Sequence, residues 1–249
     1  MENKIKLILA DIDECITPFW QNHIDLVSMA KLQEYCLNVQ DVAHIVLNSG
    51  RQVPYAEMVV QMLGIFSDYP SVLESGCLLY YPKKRKTVIN SNISKEIIDI
   101  FSEIKPIIQR LIEKGANREV GKEMCISLNP PCGIKIEDFY YQVKNQYLGS
   151  FEQLSITHSK TAVDITPIGM NKGSAVDILE ETSPFKREEM LAIGDSEGDL
   201  SVMNLVGFVA CPFNANENVK KLVLEKGGYI SSFSETKGVV DIFENLILK

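Results

Sequence analysis

The sequence predicts an α/β protein with a parallel β-sheet core and an inserted α+β domain in its middle. Three observations support this prediction. Short apolar runs alternate with helical segments in the first and last parts of the chain, which is typical of a parallel sheet covered by helices. The middle of the chain breaks that alternation. A length of 249 residues is enough for one large domain or for a domain with an insert.

The apolar runs are predicted to be strands because each is short, rich in branched side chains and followed by a loop-forming stretch. Before the insert they are "IKLILADI", "HIVLNSGR" and "SVLESG". The segments between them, "IDLVSMAKLQEYCLNV" and "YAEMVVQMLG", have helical spacing, and Gly64 suits the position after the second helix. The alternation resumes with the helix "GMNKGSAVDILEE", the strand "EMLAIGDSEGD" and the segment "FVACPFNANENVKKLVLEKG".

The segment between these two parts has a different pattern. "GCLLYYPKKRKTVIN" indicates a hairpin, and "SKEIIDIFSEIKPIIQRLIEKG" indicates an amphipathic helix kinked near Pro106. A strand, a helix and a strand pair follow, which is an α+β layer rather than a parallel winding. We therefore place the core domain at residues 1–77 and 166–249 and the inserted domain at residues 78–165.

Composition narrows the class of protein and its partners. The six cysteines are scattered without a C-x-x-C pair, which indicates reduced thiols rather than a disulfide framework. The N-terminal apolar run is too short for a signal peptide, and no run of about twenty apolar residues occurs. We expect a cytoplasmic protein that does not bind a membrane. A formal net charge of -8 argues against a nucleic-acid partner, because phosphate backbones attract basic surfaces.

Polar residues follow the ends of the predicted core strands. Ligands of open parallel sheets bind outside the carboxyl ends of the strands, so we expect these side chains to meet at one edge. They come from four separate segments of the chain: Asp11 and Asp13, Ser49 and Gly50, Lys172, and Asp195 and Asp199.

This set of groups suits phosphoryl transfer. A carboxylate can attack phosphorus and form an aspartyl-phosphate, and a second acid can protonate the leaving oxygen. Carboxylate oxygens and a substrate phosphate are the ligands that Mg²⁺ prefers. A lysine and a hydroxyl group stabilise the charge on the phosphoryl oxygens in the transition state.

Four motifs in this order resemble the haloacid dehalogenase-like phosphohydrolase superfamily. They are "LILADID" for D-x-D, "HIVLNS" for a strand ending in Ser or Thr, "GMNKG" for the lysine, and "GDSEGD" for G-D-x-x-x-D. The resemblance implies a Rossmann-like core. The insert lies between the second and third motifs, as in the C2 cap of the Cof-type and sucrose-phosphatase-like branch. "CPFNANENVKK" also resembles the N-A-x-x-x-V-K segment of that branch.

The resemblance implies a role for each matching residue. Asp11 would be the nucleophile, Asp13 the general acid and base, and Lys172 the cation between nucleophile and phosphate. The metal ligands of a Mg²⁺ cofactor would be Asp11, Asp13, Asp195 and Asp199. The phosphate or substrate contacts would be Ser49, Gly50, Arg51 and Asn214. For Arg51 a salt bridge that pins the loop is an open alternative.

The sequence therefore predicts a Mg²⁺-dependent phosphatase for a small phosphorylated metabolite, such as a phosphosugar or a phosphoglycolate-like acid. One departure concerns the residues after D-x-D, which are commonly Gly and Thr in the family and are Glu14 and Cys15 here. A phosphomutase of the same fold is one alternative. A catalytically weakened protein that binds phosphorylated ligands is another.

Overall fold

The computed structural model of the protein describes residues 4–19 and 21–248, and the chain divides into two units. The first unit consists of Met1–Val88 and Asn171–Lys249, and the second consists of Ile89–Met170. The hairpin that the sequence analysis placed in the insert thus belongs largely to the first unit. The predicted domain limits, and the function of the insert as a cap, stay predictions.

Strands and helices are numbered in chain order. The strands are β1 Leu7–Ala10, β2 His44–Leu47, β3 Ser71–Leu73, β4 Leu78–Tyr81, β5 Lys86–Ile89, β6 Asn117–Arg118, β7 Ile126–Asn129, β8 Leu154–His158, β9 Val163–Pro167, β10 Met190–Ile193, β11 Phe208–Cys211 and β12 Tyr229–Ile230. The helices are α1 Leu26–Asn38, α2 Val53–Leu63, α3 Lys95–Glu103, α4 Lys105–Glu113, α5 Ile136–Gln142, α6 Val176–Thr182, α7 Leu200–Met203, α8 Glu217–Glu225 and α9 Glu235–Ile242.

A five-stranded parallel sheet forms the centre of the first unit and confirms the predicted fold class. Its strand order is β12-β11-β10-β1-β2, and β1 pairs in register with β10 on one side and β2 on the other. All four residues of β1 are buried. Side chains from the sheet and from helices α6, α7 and α8 share one apolar cluster. The carboxyl end of β1 therefore lies between those of β10 and β2 at one edge of the sheet.

The predicted third strand, "SVLESG", does not join this sheet. Strand β3 instead pairs antiparallel with β4 in a separate sheet of order β3-β4-β5. One isolated parallel bridge, between Asn48 and Val72, connects it to the residue that follows β2. The predicted strand is therefore confirmed at Ser71–Leu73, and its parallel pairing with the central sheet is limited to this one bridge.

Local sequence explains where the helices of the first unit begin and end. The Asp25 side chain accepts hydrogen bonds from the backbone of Val27 and Ser28 and caps α1. Gly64 ends α2 with a φ of 69°, which confirms the predicted glycine cap. None of the helices within the described residues is both long and apolar enough to cross a membrane.

The second unit contains an antiparallel sheet of order β6-β7-β9-β8 with helices α3, α4 and α5. The long predicted helix is interrupted at Ile104, and Pro106 lies in the first turn of α4. The predicted kink is confirmed, since proline cannot donate a backbone hydrogen bond inside a helix. The predicted pair of strands forms β8 and β9. The unit thus has the α+β make-up that its sequence predicts.

Candidate active site

Asp11 directly follows β1, and its side chain is buried. Only 4% of the residue is exposed. One carboxylate oxygen accepts a hydrogen bond from the backbone N–H of Ile12 at 2.8 Å, and the other lies 2.8 Å from Nζ of Lys172. The carboxylate is thus held by its own loop and by a residue far along the chain. A carboxylate fixed in this way presents an oriented oxygen to a ligand at the sheet edge.

Lys172 connects two of the predicted acids. Its Nζ lies 2.8 Å from Oδ2 of Asp11 and 2.8 Å from Oδ1 of Asp199, and the side chain is buried. The sequence analysis placed this lysine at the start of a helix, but α6 begins only at Val176 and Lys172 lies in the preceding turn. The side-chain amide of Asn48 donates to the Lys172 carbonyl oxygen at 3.1 Å. This hydrogen bond fixes the backbone that carries the lysine.

The loop after β10 supplies the other two acids. The Asp199 carboxylate accepts hydrogen bonds from the backbone of Asp195 at 3.1 Å, and from the backbone and hydroxyl group of Ser196 at 3.0 Å and 2.9 Å. A Cβ atom on Gly194 would lie 2.2 Å from Cγ of Asp199. Glycine is therefore required before Asp195 for the loop to fold around the second acid. Asp199 supports both the loop and Lys172.

The charges of this cluster explain its pKa shifts. Burial, together with the charges of Asp199 and Asp195, raises the pKa of Asp11 well above its usual value, although Lys172 opposes the shift. Burial lowers the pKa of Lys172, but the carboxylates of Asp11 and Asp199 outweigh it and raise that pKa overall. Lys172 therefore remains a cation. The cluster holds one buried cation and three buried acids, so it carries an excess of negative charge when all three acids are ionised.

A divalent cation fits this excess of charge and this set of donors. Among the described residues, one group of metal-ligating side chains converges, formed by Asp11, Cys15 and Asp195 with ligand atoms within 4.8 Å of one another. Two of the three donors are carboxylates, which suit a hard ion such as Mg²⁺. The third, Cys15, is fully buried, and its Sγ lies 3.9 Å from Oδ1 of Asp195. Burial and the charges of Asp195 and Asp11 raise the pKa of the Cys15 thiol.

Asp13 and Arg51 form a bidentate ion pair. The Nε and a terminal nitrogen of Arg51 lie 2.8 Å and 2.7 Å from the two carboxylate oxygens of Asp13. The guanidinium group also lies over the ring of Tyr55 at 4.6 Å. Both side chains are partly exposed. The sequence leaves two roles open for Arg51, a contact with the substrate or a salt bridge that holds the loop. The structure has the salt bridge, which is formed with Asp13.

Ser49 and Gly50 follow β2 closely. Ser49 is buried, its hydroxyl oxygen accepts a hydrogen bond from the Arg51 backbone at 3.3 Å, and its carbonyl oxygen accepts one from Ser75 at 3.2 Å. A Cβ atom on Gly50 would lie 3.3 Å from the Ser75 hydroxyl oxygen. The loop is thus tightly packed around the predicted phosphate-binding hydroxyl group.

Asn214 has both ends of its side chain bound to backbone. Its amide nitrogen donates to the Glu14 carbonyl oxygen at 2.8 Å, and its oxygen accepts from the Glu235 backbone at 2.8 Å. It therefore connects the loop after β1 to the start of α9. The phosphate contact predicted for Asn214 stays a prediction.

Two residues of the site have no role in the sequence analysis. Asn48 is buried and supports Lys172, and its signal in the sequence is a polar residue inside the buried run "HIVLNS". Ser196 binds Asp199, and its signal is its place inside "GDSEGD". The roles predicted for the other site residues stay predictions, whereas their positions are as described above.

Comparisons with known proteins agree with this fold. Residues 133–243 match the family model of haloacid dehalogenase-like hydrolases. A phosphoglycolate phosphatase of Thermoplasma volcanium is 39% identical over 32% of this chain and 34% of its own length. Phosphoglycolate phosphatase 1 of Saccharolobus solfataricus is 26% identical over 98% of this chain and 96% of its own length. The first curated relatives are thus matched over little more than a third of their length.

The solved structures support the fold. The sucrose-phosphatase of Synechocystis, in complex with sucrose and phosphate, superposes with a TM-score of 0.69 at 16% identity, covering 98% of each chain. The similarity extends over both units of the chain and shows that the two proteins share a fold. Together with the four ordered motifs at one sheet edge, these matches make the chain similar to the haloacid dehalogenase-like hydrolases.

Proposed function

We propose that this protein is a Mg²⁺-dependent phosphatase that hydrolyses a small phosphate monoester through an aspartyl-phosphate on Asp11. The observation that carries the proposal is the buried contact of Lys172 with Asp11 and Asp199, at 2.8 Å each. A lysine held beside an oriented carboxylate, in a cluster that still has excess negative charge, suits the transfer of a phosphoryl group with a bound cation.

In the first step a carboxylate oxygen of Asp11 forms a bond to phosphorus while the ester P–O bond breaks. The leaving oxygen takes a proton from Asp13. Both Asp13 oxygens are engaged by Arg51 in the structure, so this ion pair has to open before Asp13 can reach the leaving group. Lys172 stabilises the negative charge that spreads over the phosphoryl oxygens.

In the second step water forms a bond to phosphorus and the bond between phosphorus and Asp11 breaks. Asp13 takes the proton from that water, and inorganic phosphate leaves. Mg²⁺, when bound by Asp11, Asp195 and the backbone of Asp13, would neutralise the charge on the phosphoryl oxygens. Asp199 would keep the loop of Asp195 in place, as its hydrogen bonds to that loop indicate.

The first substrate to test follows from the relatives. The curated proteins that this chain resembles are named phosphoglycolate phosphatases, and the chain resembles the structure of a sucrose-phosphatase. These names support a phosphoric monoester hydrolase acting on a small acid or sugar phosphate. Phosphoglycolate and a panel of phosphosugars are therefore the substrates to compare.

The experiment measures phosphate release from this panel by the whole protein, with Mg²⁺ or with a chelator, for the wild type and Asp11→Asn. We expect release that needs Mg²⁺ and disappears in the variant. Asp68→Asn is the matched control, because Asp68 forms an exposed ion pair with Lys83, and it should keep full activity. Acid quenching during turnover followed by mass spectrometry should find phosphate on the peptide that contains Asp11.

Two results would contradict the proposal. Full activity of Asp11→Asn would exclude the covalent mechanism, because the amide cannot form the acyl phosphate. No phosphate release from any ester by folded wild-type protein would exclude the phosphatase. Conversion of a sugar phosphate without phosphate release would favour the phosphomutase instead.

A further inference from the structure

Cys15 brings a thiol into the group of carboxylates at the end of β1. The residue is fully buried, and its Sγ lies 3.9 Å from Oδ1 of Asp195. A ligand atom of Asp11 completes a triangle in which all distances are within 4.8 Å. Because Cys15 is only four residues from Asp11, one loop carries both donors.

This triangle has the dimensions of a mixed sulfur and oxygen metal site. A tetrahedral ion with a sulfur ligand at about 2.3 Å and an oxygen ligand at about 2.1 Å holds those two atoms about 3.6 Å apart. The observed sulfur-to-oxygen distance of 3.9 Å is slightly longer. A small movement of either side chain would remove the difference. The Cys15 and Asp195 donors therefore need no rearrangement of the backbone to meet on one ion, and the Asp11 ligand atom lies within 4.8 Å of both.

We propose that Cys15, Asp11 and Asp195 bind thiophilic divalent cations, of the class of Zn²⁺ and Cd²⁺, at a centre that overlaps the proposed Mg²⁺ site. Thiolate sulfur selects soft or borderline ions, whereas Mg²⁺ takes oxygen ligands. On binding, the metal–sulfur bond replaces the S–H bond, and the thiol proton passes to solvent. The proposal rests on the proposed function only in naming Mg²⁺ as the competing ion.

A thiophilic ion bound at this centre would exclude Mg²⁺, because the two ions share ligands. Asp11 and Asp195 serve both ions in this scheme, so a thiophilic ion and Mg²⁺ cannot be bound together. The thiophilic ion would also occupy the carboxylate that attacks phosphorus. Zn²⁺ and Cd²⁺ are therefore expected to inhibit, in competition with Mg²⁺, at concentrations far below that of Mg²⁺.

The other thiols differ from Cys15 in their surroundings. Cys132 is exposed, and within the described residues only the group that contains Cys15 has converging metal-ligating atoms. Cys125 lies 3.9 Å from Asp164, but the ammonium group of Lys122 lies 3.8 Å from the same carboxylate oxygen. No third metal-ligating atom converges with Cys125 and Asp164 within the described residues, so this pair lacks the ligand set that surrounds Cys15.

The test is a Cd²⁺ titration of the metal-free whole protein, followed by the ultraviolet charge-transfer absorption of cadmium–thiolate bonds. All proteins carry Cys132→Ser, which removes the exposed thiol, and Cys15→Ser is compared with Cys15 in that background. We expect one saturable absorption change that Cys15→Ser abolishes. We expect the affinity for Cd²⁺ to fall at least about tenfold in the variant, since even partners outside the first coordination shell contribute 10–100-fold. Mg²⁺ should raise the apparent Kd for Cd²⁺ when Cys15 is present.

A second measurement does not depend on the folding of a Cys15 variant. X-ray absorption of the Zn²⁺-loaded Cys132→Ser protein should contain a Zn–S distance of about 2.3 Å. A coordination shell of nitrogen and oxygen alone would overturn the proposal, as would a cadmium–thiolate band that Cys15→Ser leaves unchanged or that Mg²⁺ does not affect.

The experiments can refute the thiophilic site and the proposed function independently of each other. Phosphate release with Mg²⁺ but without the Cys15-dependent absorption refutes only the thiophilic site. A Cys15-dependent band in a protein that releases no phosphate refutes only the phosphatase.

Discussion

Replacing Glu14 by glycine should stabilise the protein, because the backbone at this position has the left-handed conformation. Its φ is 55°. A residue with a Cβ atom pays roughly 1–2 kcal/mol for that conformation, whereas glycine loses roughly 0.5–1 kcal/mol more backbone entropy on folding. The balance is a gain of about 0.5–1 kcal/mol in the free energy of unfolding. For a chain of this size it corresponds to a Tm increase of about 1–4 °C.

Glu14→Ala is the matched control, because alanine removes the carboxylate but keeps the Cβ atom. The hydrogen bond from Asn214 goes to the backbone carbonyl oxygen of Glu14, so both variants keep it. Thermal unfolding is measured for the metal-free wild type and the two variants. The Tm of Glu14→Gly should exceed that of Glu14→Ala by about 1–4 °C. Equal Tm values for the glycine and alanine variants would refute the reasoning from the backbone. Any difference in Tm that both variants share relative to the wild type would then be the effect of losing the Glu14 side chain.

Three further predictions concern other charged side chains. Lys172→Met should cost about 3–5 kcal/mol of unfolding free energy in urea, since it leaves a buried carboxylate uncompensated, whereas Lys83→Met, at an exposed pair, should cost less than about 1 kcal/mol. Equal losses in these two variants would contradict the burial argument. The raised pKa of Asp11 means that the folded protein keeps a proton that the unfolded chain has released above a pH of about 4. The stability of the metal-free protein should therefore fall as pH rises from about 4 through the folded-state pKa, by up to about 1.4 kcal/mol per pH unit. Urea unfolding across this range should give a shallower slope for Asp11→Asn, and an unchanged slope would assign the effect to other groups. The amine of Lys226 donates to three backbone carbonyl groups at and after the end of α7, at 2.6–3.3 Å, so Lys226→Met should lose about 1 kcal/mol in thermal unfolding. The exposed Lys221→Met on the same helix should be neutral within about 0.5 kcal/mol, and an equal loss there would exclude the capping contact.

The sequence was sufficient to predict the position of the nucleophile candidate and its neighbours. Strand ends in a parallel sheet share one edge, so a short apolar run followed by Asp11 locates that residue before any distance is known. The same argument brings Lys172 and Asp199 to it from far along the chain. These contacts depend on sheet topology, which the alternation of strands and helices reveals.

The finer contacts could not be predicted in this way. The pairing of Asp13 with Arg51, and the use of both ends of Asn214 by the backbone, depend on loop conformations with no repeating pattern. The antiparallel pairing of β3 with β4 could not be predicted either, because a strand of three residues carries too little pattern to indicate its partner. Lys172 was placed in a helix for a related reason, since the turn that precedes α6 has the composition of a first helical turn.

The place of β1 in the sheet has a consequence for how the protein is made. Its partner β2 is synthesised soon after it, but its other partner is β10, with Leu7 opposite Met190. During translation one edge of this fully buried strand therefore remains open until the whole insert has left the ribosome. An exposed strand edge is a template for wrong pairing, and domains generally complete in order from the N-terminus. For this chain the nascent N-terminal segment has to wait for β10, and we expect wrong pairing to be most frequent in that interval.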